Sequence, residues 1–245
     1  MSCYFPLLGL PTGDYTEKGK PRYLIKSIHD YRKASFNFAE WSEKWSKAHN
    51  GLTPILIPCR KCIGCKLEYS RQWADRCMLE LKYHMQSCFL TLTYDDNHLK
   101  NINGDSLKEG EHASLYLRDF QLFMKRLRKE YEGTKVRYYM CGEYGSESFR
   151  PHYHIILFGI DFTDRVFYKR TKQGFYLFNS PCLSKLWNNG HAVIGDVDWD
   201  SCAYVARYTA KKMLQDSDIF IRWNVLPEFT QCSLGIISRK AGFKS

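Results

Sequence analysis

Apolar and polar positions follow two different periods along this chain, and each change of period marks an element. Over residues 66–86 the positions Leu67, Ser70, Trp73, Ala74, Cys77, Met78, Leu81 and Met85 recur at helical spacing, with Arg71, Arg76 and Lys82 elsewhere on the cylinder. The period drops to two in Cys88-Phe89-Leu90-Thr91-Leu92-Thr93-Tyr94, where Leu alternates with Thr, and Asp95-Asp96-Asn97 ends that strand. Residues 115–131 return to helical spacing, with Phe120, Phe123, Met124, Leu127 and Tyr131 as the apolar stripe and Gly133 as the stop. A strand over 136–143 and a second from Pro151 to Gly159 are joined by six residues, the right length for an antiparallel hairpin. Residues 160–190 read as an aromatic, irregular insertion with a short helix at 182–187. Residues 191–199 alternate as a strand, and Asp200 or Ser201 then caps a helix over 203–214. The first 58 residues carry the weakest pattern: a short aromatic-faced segment around Phe36, Phe38, Trp41 and Trp45, and a brief strand within 53–58.

Composition narrows the class. A chain of 245 residues with 44% hydrophobic and 16% aromatic residues buries a sizeable core. Lys and Arg exceed Asp and Glu by 36 − 26 = 10, which favours a polyanionic partner, nucleic acid before membrane. The sequence has no apolar run long enough to span a membrane and no secretory signal, so the expected setting is intracellular. The ten cysteines then read as reduced thiols or metal ligands. A P-loop is also missing: Gly13 to Gly19-Lys20 has one residue too many, and Pro21 stands where Ser or Thr is required. No nucleotide cofactor is expected.

Three groups of residues carry candidate chemistry. In Arg150-Pro151-His152-Tyr153-His154, strand alternation sends His152 and His154 to one face, about 7 Å apart, and Tyr153 to the other. Hairpin pairing brings Glu143 close to both, and a carboxylate with two imidazoles and open positions suits Mg²⁺ or Mn²⁺ at a phosphate. On the last helix Tyr204 and Tyr208 are one turn apart, with Lys211 and Lys212 a turn further on and Ala203, Ala206, Ala210 and Met213 on the core side. A tyrosine is only about one part in a thousand ionised at neutral pH, so neighbouring lysines would favour the nucleophilic phenolate. Third, Cys59, Cys62 and Cys65 form a C-x2-C-x2-C that supplies three of the four ligands of a structural Zn²⁺, with Cys3, Cys77, His84 or Cys88 as the fourth. Lys125, Arg126, Arg128 and Lys129 on the 115–131 helix, and Arg150, are candidates for phosphate contact.

Phe89-Leu90-Thr91-Leu92-Thr93, His152-Tyr153-His154 and Tyr204-x3-Tyr208 with Lys211-Lys212 resemble, in order, the three motifs of the HUH endonucleases. Over residues 59–214 the likeness is to the replication initiators of gokushovirus-type microviruses, single-stranded DNA phages of bacteria. The resemblance implies an α+β fold with a central antiparallel sheet flanked by helices. It also implies an N-terminal Cys-rich extension over 1–65, a catalytic core over 66–215 and a tail over 216–245. It further implies rolling-circle initiation: nicking at the phage origin, a 5′-phosphotyrosine intermediate, strand joining, and reliance on a host helicase and polymerase in the bacterial cytoplasm. Two readings of another class remain. One is a non-catalytic single-strand binding module with structural zinc; the other is a non-haem iron oxygenase, whose metal triad is similar. An HUH transposase or relaxase is the alternative within the nuclease class.

Overall fold

The structure, a computed structural model, describes residues 3–28, 37–145, 148–211 and 229–232; for 208–211 and 229–232 only the course of the chain is described. Residues 1–68 and 69–245 form two compact units. The first holds a three-stranded antiparallel sheet in the order β2-β1-β3, from β1 (Leu7–Tyr15), β2 (Pro21–Ser27) and β3 (Ile55–Ile57), with helix α1 (Phe38–Ala48). Asn37 starts α1 by accepting the Ala39 N–H at 3.0 Å. The β1–β2 hairpin is not expected from the sequence. Pro11 and Gly13 interrupt its alternation, and the register shifts between Pro11 and Tyr15.

Helix α2 (Ile63–Leu81) runs from the first unit into the second. It ends a turn before the sequence pattern does. The amides of Lys82, Tyr83 and His84 bond back to the carbonyls three residues earlier, and Met85, expected in the apolar stripe, is 101% exposed. The second unit is built on a seven-stranded antiparallel sheet in the order β10-β5-β6-β4-β9-β8-β7. Its strands are β4 (Ser87–Tyr94), β5 (Arg137–Tyr144), β6 (Pro151–Phe158), β7 (Val166–Arg170), β8 (Tyr176–Asn179), β9 (Gly190–Gly195) and β10 (Phe229–Cys232). With α3 (Leu117–Glu130), α4 (Pro181–Leu186) and α5 (Trp199–Lys211) it makes an α+β fold, as the sequence implied.

Alternation along the strands gives the sheet two apolar faces. On one, Leu90, Leu92, Tyr153, Ile155 and Leu157 pack with Phe120, Phe123, Met124 and Leu127 of α3 and with Leu183 and Leu186 of α4. On the other, Tyr139, Cys141, Ile156 and Phe158 pack with Trp73, Ala74 and Cys77 of α2 and Cys202, Val205 and Ala206 of α5. Buried at roughly 25 cal/mol per Å² of apolar surface, these two layers hold the sheet between the helices. The insertion at 160–190 is more regular than its sequence suggests, since β7 and β8 form a hairpin inside it. Helix α5 also starts earlier than expected. Asp198 caps it, accepting the Ser201 N–H at 2.7 Å, while Ser201 Oγ accepts the Asp198 N–H at 2.9 Å. Gly159 closes β6 at φ 98°, where a Cβ would lie 2.6 Å from the Lys135 carbonyl oxygen.

Candidate metal and tyrosine site

Two strand registers assemble the site. Pairing of β5 with β6 sets Glu143 opposite His152 and Cys141 opposite His154, and pairing of β4 with β6 sets Thr91 opposite His154. Glu143, His152 and His154 therefore share one face near the end of the sheet. Glu143 Oε1 lies 2.6 Å from His152 Nε2 and 2.8 Å from His154 Nε2. Glu143 and His154 are 4% and 7% exposed, so the group is shielded from bulk water.

The other ring nitrogens decide what the site can hold. His152 Nδ1 lies 3.0 Å from the Arg150 carbonyl oxygen. A carbonyl only accepts, so Nδ1 carries the proton, and a neutral His152 turns its Nε2 lone pair toward Glu143. His154 Nδ1 bonds the Thr91 hydroxyl at 3.1 Å, and Phe89 stacks on the ring at 5.6 Å. Burial pushes the pKa of His154 down against the pull of Glu143, which favours the neutral, ligating ring. Two imidazole lone pairs and a carboxylate converging within 4.8 Å fit a divalent cation, which would cancel the repulsion between them. The mixed nitrogen and oxygen donors suit Mn²⁺ better than Mg²⁺, which prefers oxygen alone.

Tyr204 of α5 reaches the same point. Its hydroxyl donates to Glu143 Oε1 at 3.1 Å and lies 3.4 Å from His154 Nε2, with its ring edge-on to His154 at 4.9 Å. Tyr208 follows one turn later in α5 and Lys211 ends that helix, but their side chains lie outside the described residues, as does Lys212 entirely. The exposed Arg207, not singled out from the sequence, places its guanidinium 5.8 Å from the Tyr204 ring. Thr91 gains no separate role from the sequence either, although it lies within Phe89-Leu90-Thr91-Leu92-Thr93. On the opposite face of β6, Tyr153 holds the strand in place, donating to the Tyr116 carbonyl at 2.9 Å and accepting the Tyr116 N–H at 3.0 Å.

The basic candidates are placed unevenly. Helix α3 packs on the face of the sheet opposite the triad. Lys125 and Lys129 are exposed there, whereas Arg126 donates to the Leu186 carbonyl at 2.7 Å and Arg128 lies over the Tyr138 ring at 5.9 Å. Arg150 is held by the Tyr94 carbonyl and by Asp96. In the first unit a separate group brings Cys59, Cys62 and Cys65 together with Cys3, their sulfurs all within 4.8 Å. Of the other fourth-ligand candidates, Cys77 and Cys88 are buried in the apolar layers and His84 bonds Glu80. Among the described residues no helix is long and apolar enough to cross a membrane.

Comparison with known proteins bears on this arrangement. The chain is 32% identical to the replication-associated protein ORF2 of Spiroplasma virus 4 over 85% of its own length and 66% of that protein's. It is 36% identical to the replication-associated protein VP4 of Bdellovibrio phage phiMH2K over 72% of its own length and 54% of the relative's. With the replication-associated protein ORF4 of Chlamydia phage 1 it shares 31% identity over 66% of its own length and 40% of the relative's. It therefore spans between two fifths and two thirds of the length of these relatives. No solved structure matches it. The family model for the phage replication-associated protein ORF2 matches residues 87–213, the stretch that holds the sheet, the Glu143–His152–His154 group and α5, and the chain belongs to that family.

Proposed function

We propose that this protein initiates replication of a bacteriophage single-stranded DNA by nicking and rejoining it at the origin, with Tyr204 as one nucleophile. The observation that carries this is the Tyr204 hydroxyl, 3.1 Å from the carboxylate at the centre of a two-histidine cluster. The family relationship supports a replication role. The net charge of +10 supports a nucleic-acid partner.

Glu143, His152 and His154 would hold Mn²⁺ or Mg²⁺, which supplies charge stabilisation at the scissile phosphate. The residues themselves do the rest. Glu143 accepts from the Tyr204 hydroxyl and so aims its oxygen at the place where that phosphate would lie. Tyr204 O forms the new bond to phosphorus as the P–O3′ bond breaks, and the 3′ oxygen takes up a proton in place of the one lost by the phenol. The result is a 5′-phosphotyrosine and a free 3′-hydroxyl, and the ester retains the energy needed to rejoin a strand. Arg207, Lys211 and Lys212 would favour the phenolate by their charge. Tyr208, one turn on, would serve as the second nucleophile when the origin is regenerated. Lys125 and Lys129, and more weakly the internally held Arg126, Arg128 and Arg150, would contact DNA away from the reacting phosphate. Host helicase and polymerase would provide strand separation and synthesis.

The test is incubation with circular single-stranded DNA carrying the origin and Mn²⁺. Wild type should form a covalent 5′-linked adduct; Tyr204→Phe and Tyr208→Phe should each retain single-round cleavage, and the double variant none. A double variant that still forms the adduct puts the nucleophile elsewhere. Retained DNA binding without any cleavage by wild type would instead favour the non-catalytic single-strand binding module.

The four cysteines support a structural Zn²⁺ in the first unit. Four thiolates around zinc at about 2.3 Å would lie about 3.8 Å apart. The Cys59–Cys65 and Cys62–Cys3 sulfur pairs are both at 3.9 Å. The N–H groups of Tyr4, Cys59 and Cys62 point at Cys62, Cys3 and Cys59 sulfur respectively, which suits thiolates rather than thiols. Arg60, at φ 60°, makes the turn between the first two cysteines.

A further inference from the structure

The β7–β8 hairpin is the least explained part of the second unit. All five residues of β7 are exposed, among them Val166 at 59% and Phe167 at 58%, and Tyr176 of β8 is at 51%. The hairpin attaches to the rest of the sheet through the single registered pair Phe178–Ile194, so both its faces stand clear. An exposed edge hairpin rich in apolar rings invites aggregation unless something covers it.

Its rings are ordered. Phe178 is anchored in the core; Phe167 sits 6.3 Å from Phe178 and 6.2 Å from Tyr176. Cations flank this ladder, with Arg165 5.6 Å from the Phe178 ring, Arg170 5.4 Å from the Tyr176 ring and Lys169 5.1 Å from the Tyr168 ring. Residues 165–176 contain Arg165, Lys169, Arg170 and Lys172 and no Asp or Glu. Arg165 is engaged by Asp161 and Asp196, which leaves three cations for an outside partner.

We propose that this hairpin is a binding platform for single-stranded DNA, its exposed rings stacking on unpaired bases and Lys169, Arg170 and Lys172 contacting phosphates. Ring faces interleaved with cations and free of acids are the chemistry that grips a single strand without reading its sequence. A duplex hides the base faces that such rings need. A protein partner that merely covered apolar surface would gain nothing from the uniform positive charge. In the sheet order, β7 lies four strands from β6, about 19 Å at the usual strand spacing. The platform therefore does not touch the reacting phosphate; it holds a flanking segment of the strand. The proposal deepens the nicking reading in this respect, but binding itself does not depend on that chemistry.

The experiment measures oligo-dT binding by fluorescence anisotropy in EDTA, so that no cleavage occurs. Phe167→Leu with Tyr176→Leu keeps apolar bulk and removes the flat stacking faces. This pair should weaken binding by at least about 10-fold, since one stacked base is worth about 5- to 150-fold in affinity. Lys169→Gln with Arg170→Gln and Lys172→Gln should lower the slope of log K on log salt by about 2, at about 0.7 per phosphate contact on a single strand. Both variants should melt with the wild type, because the residues changed are exposed, and His152→Ala with His154→Ala should bind as wild type. Hairpin-dependent binding by a wild type that forms no covalent adduct would sink the nicking reading and keep this one. Unchanged affinity and salt slope would overturn the platform. So would a wild type whose self-association, measured by light scattering, is lost in the leucine variant while oligo-dT binding is kept, for the hairpin would then dock a second copy.

Discussion

Thr91→Val isolates one hydrogen bond that the triad depends on. The Thr91 hydroxyl meets His154 Nδ1 at 3.1 Å from the neighbouring strand, so it fixes the ring and leaves Nε2 aimed at Glu143. Valine has the same branched shape and fits a strand at least as well, so β4 should not rearrange. The lost neutral hydrogen bond is worth about 1 kcal/mol of stability, partly returned by the added methyl group. Metal affinity should suffer more. Removing a partner that orients a ligating imidazole typically costs 10- to 100-fold, or about 1.4–2.8 kcal/mol. The assay is single-turnover nicking of an origin oligonucleotide across a Mn²⁺ titration. The half-maximal Mn²⁺ concentration should rise by about 10- to 100-fold, while the rate at saturating metal stays within a few-fold of wild type. An unchanged midpoint would mean that His154 does not ligate through Nε2. A midpoint unmoved but a depressed saturated rate would assign Thr91 to the DNA rather than to the ring.

Three other outcomes follow from the same geometry. His152→Ala with His154→Ala should abolish nicking in the covalent-adduct assay while leaving most filter-retained DNA binding, because the charges that contact phosphates lie elsewhere. Cys3→Ser should reduce the zinc content of anaerobically purified protein from about one equivalent and lower the melting temperature, with the nicking rate of the folded fraction little changed; a wild type without zinc would return the four cysteines to plain thiols. Tyr153→Phe should cost about 2 kcal/mol in urea denaturation, since it leaves the buried Tyr116 N–H and carbonyl without the hydroxyl that serves both.

How far the sequence can be read depends on whether burial imprints a period on it. Strand β4 has one face toward each apolar layer and alternates cleanly, so its bounds are legible to a residue. Strand β7 is exposed on both faces, carries no alternation, and reads as irregular chain. The β1–β2 hairpin is lost because Pro11 and Gly13 fall where alternation would have shown. Strand pairing of Glu143 beside the histidines can be foreseen from hairpin length alone. The partners of Arg126 and Arg150 cannot, for a basic residue that caps a distant carbonyl has the same local pattern as one facing solvent. Cys3 is only one of four fourth-ligand candidates in the sequence, because 56 residues separate it from Cys59 and only tertiary structure brings the two together.

Strand β6 reconciles folding with chemistry by where it places its register information. From Ile155 to Phe158 both faces are apolar and fully buried, so that half of the strand would accept a one-residue slip almost without penalty. The other half would not. A slip would turn Tyr153 out of its bonds to Tyr116 and Tyr94 and drive His152 and His154 into the apolar layer beneath α3. Burying two imidazoles there without hydrogen-bond partners would cost about 1–3 kcal/mol each, a large share of the stability of any domain. The residues that would hold the metal are therefore also those that fix the strand's alignment against β4 and β5, and the same three-residue alternation that aims the histidines at Glu143 keeps the sheet from misaligning.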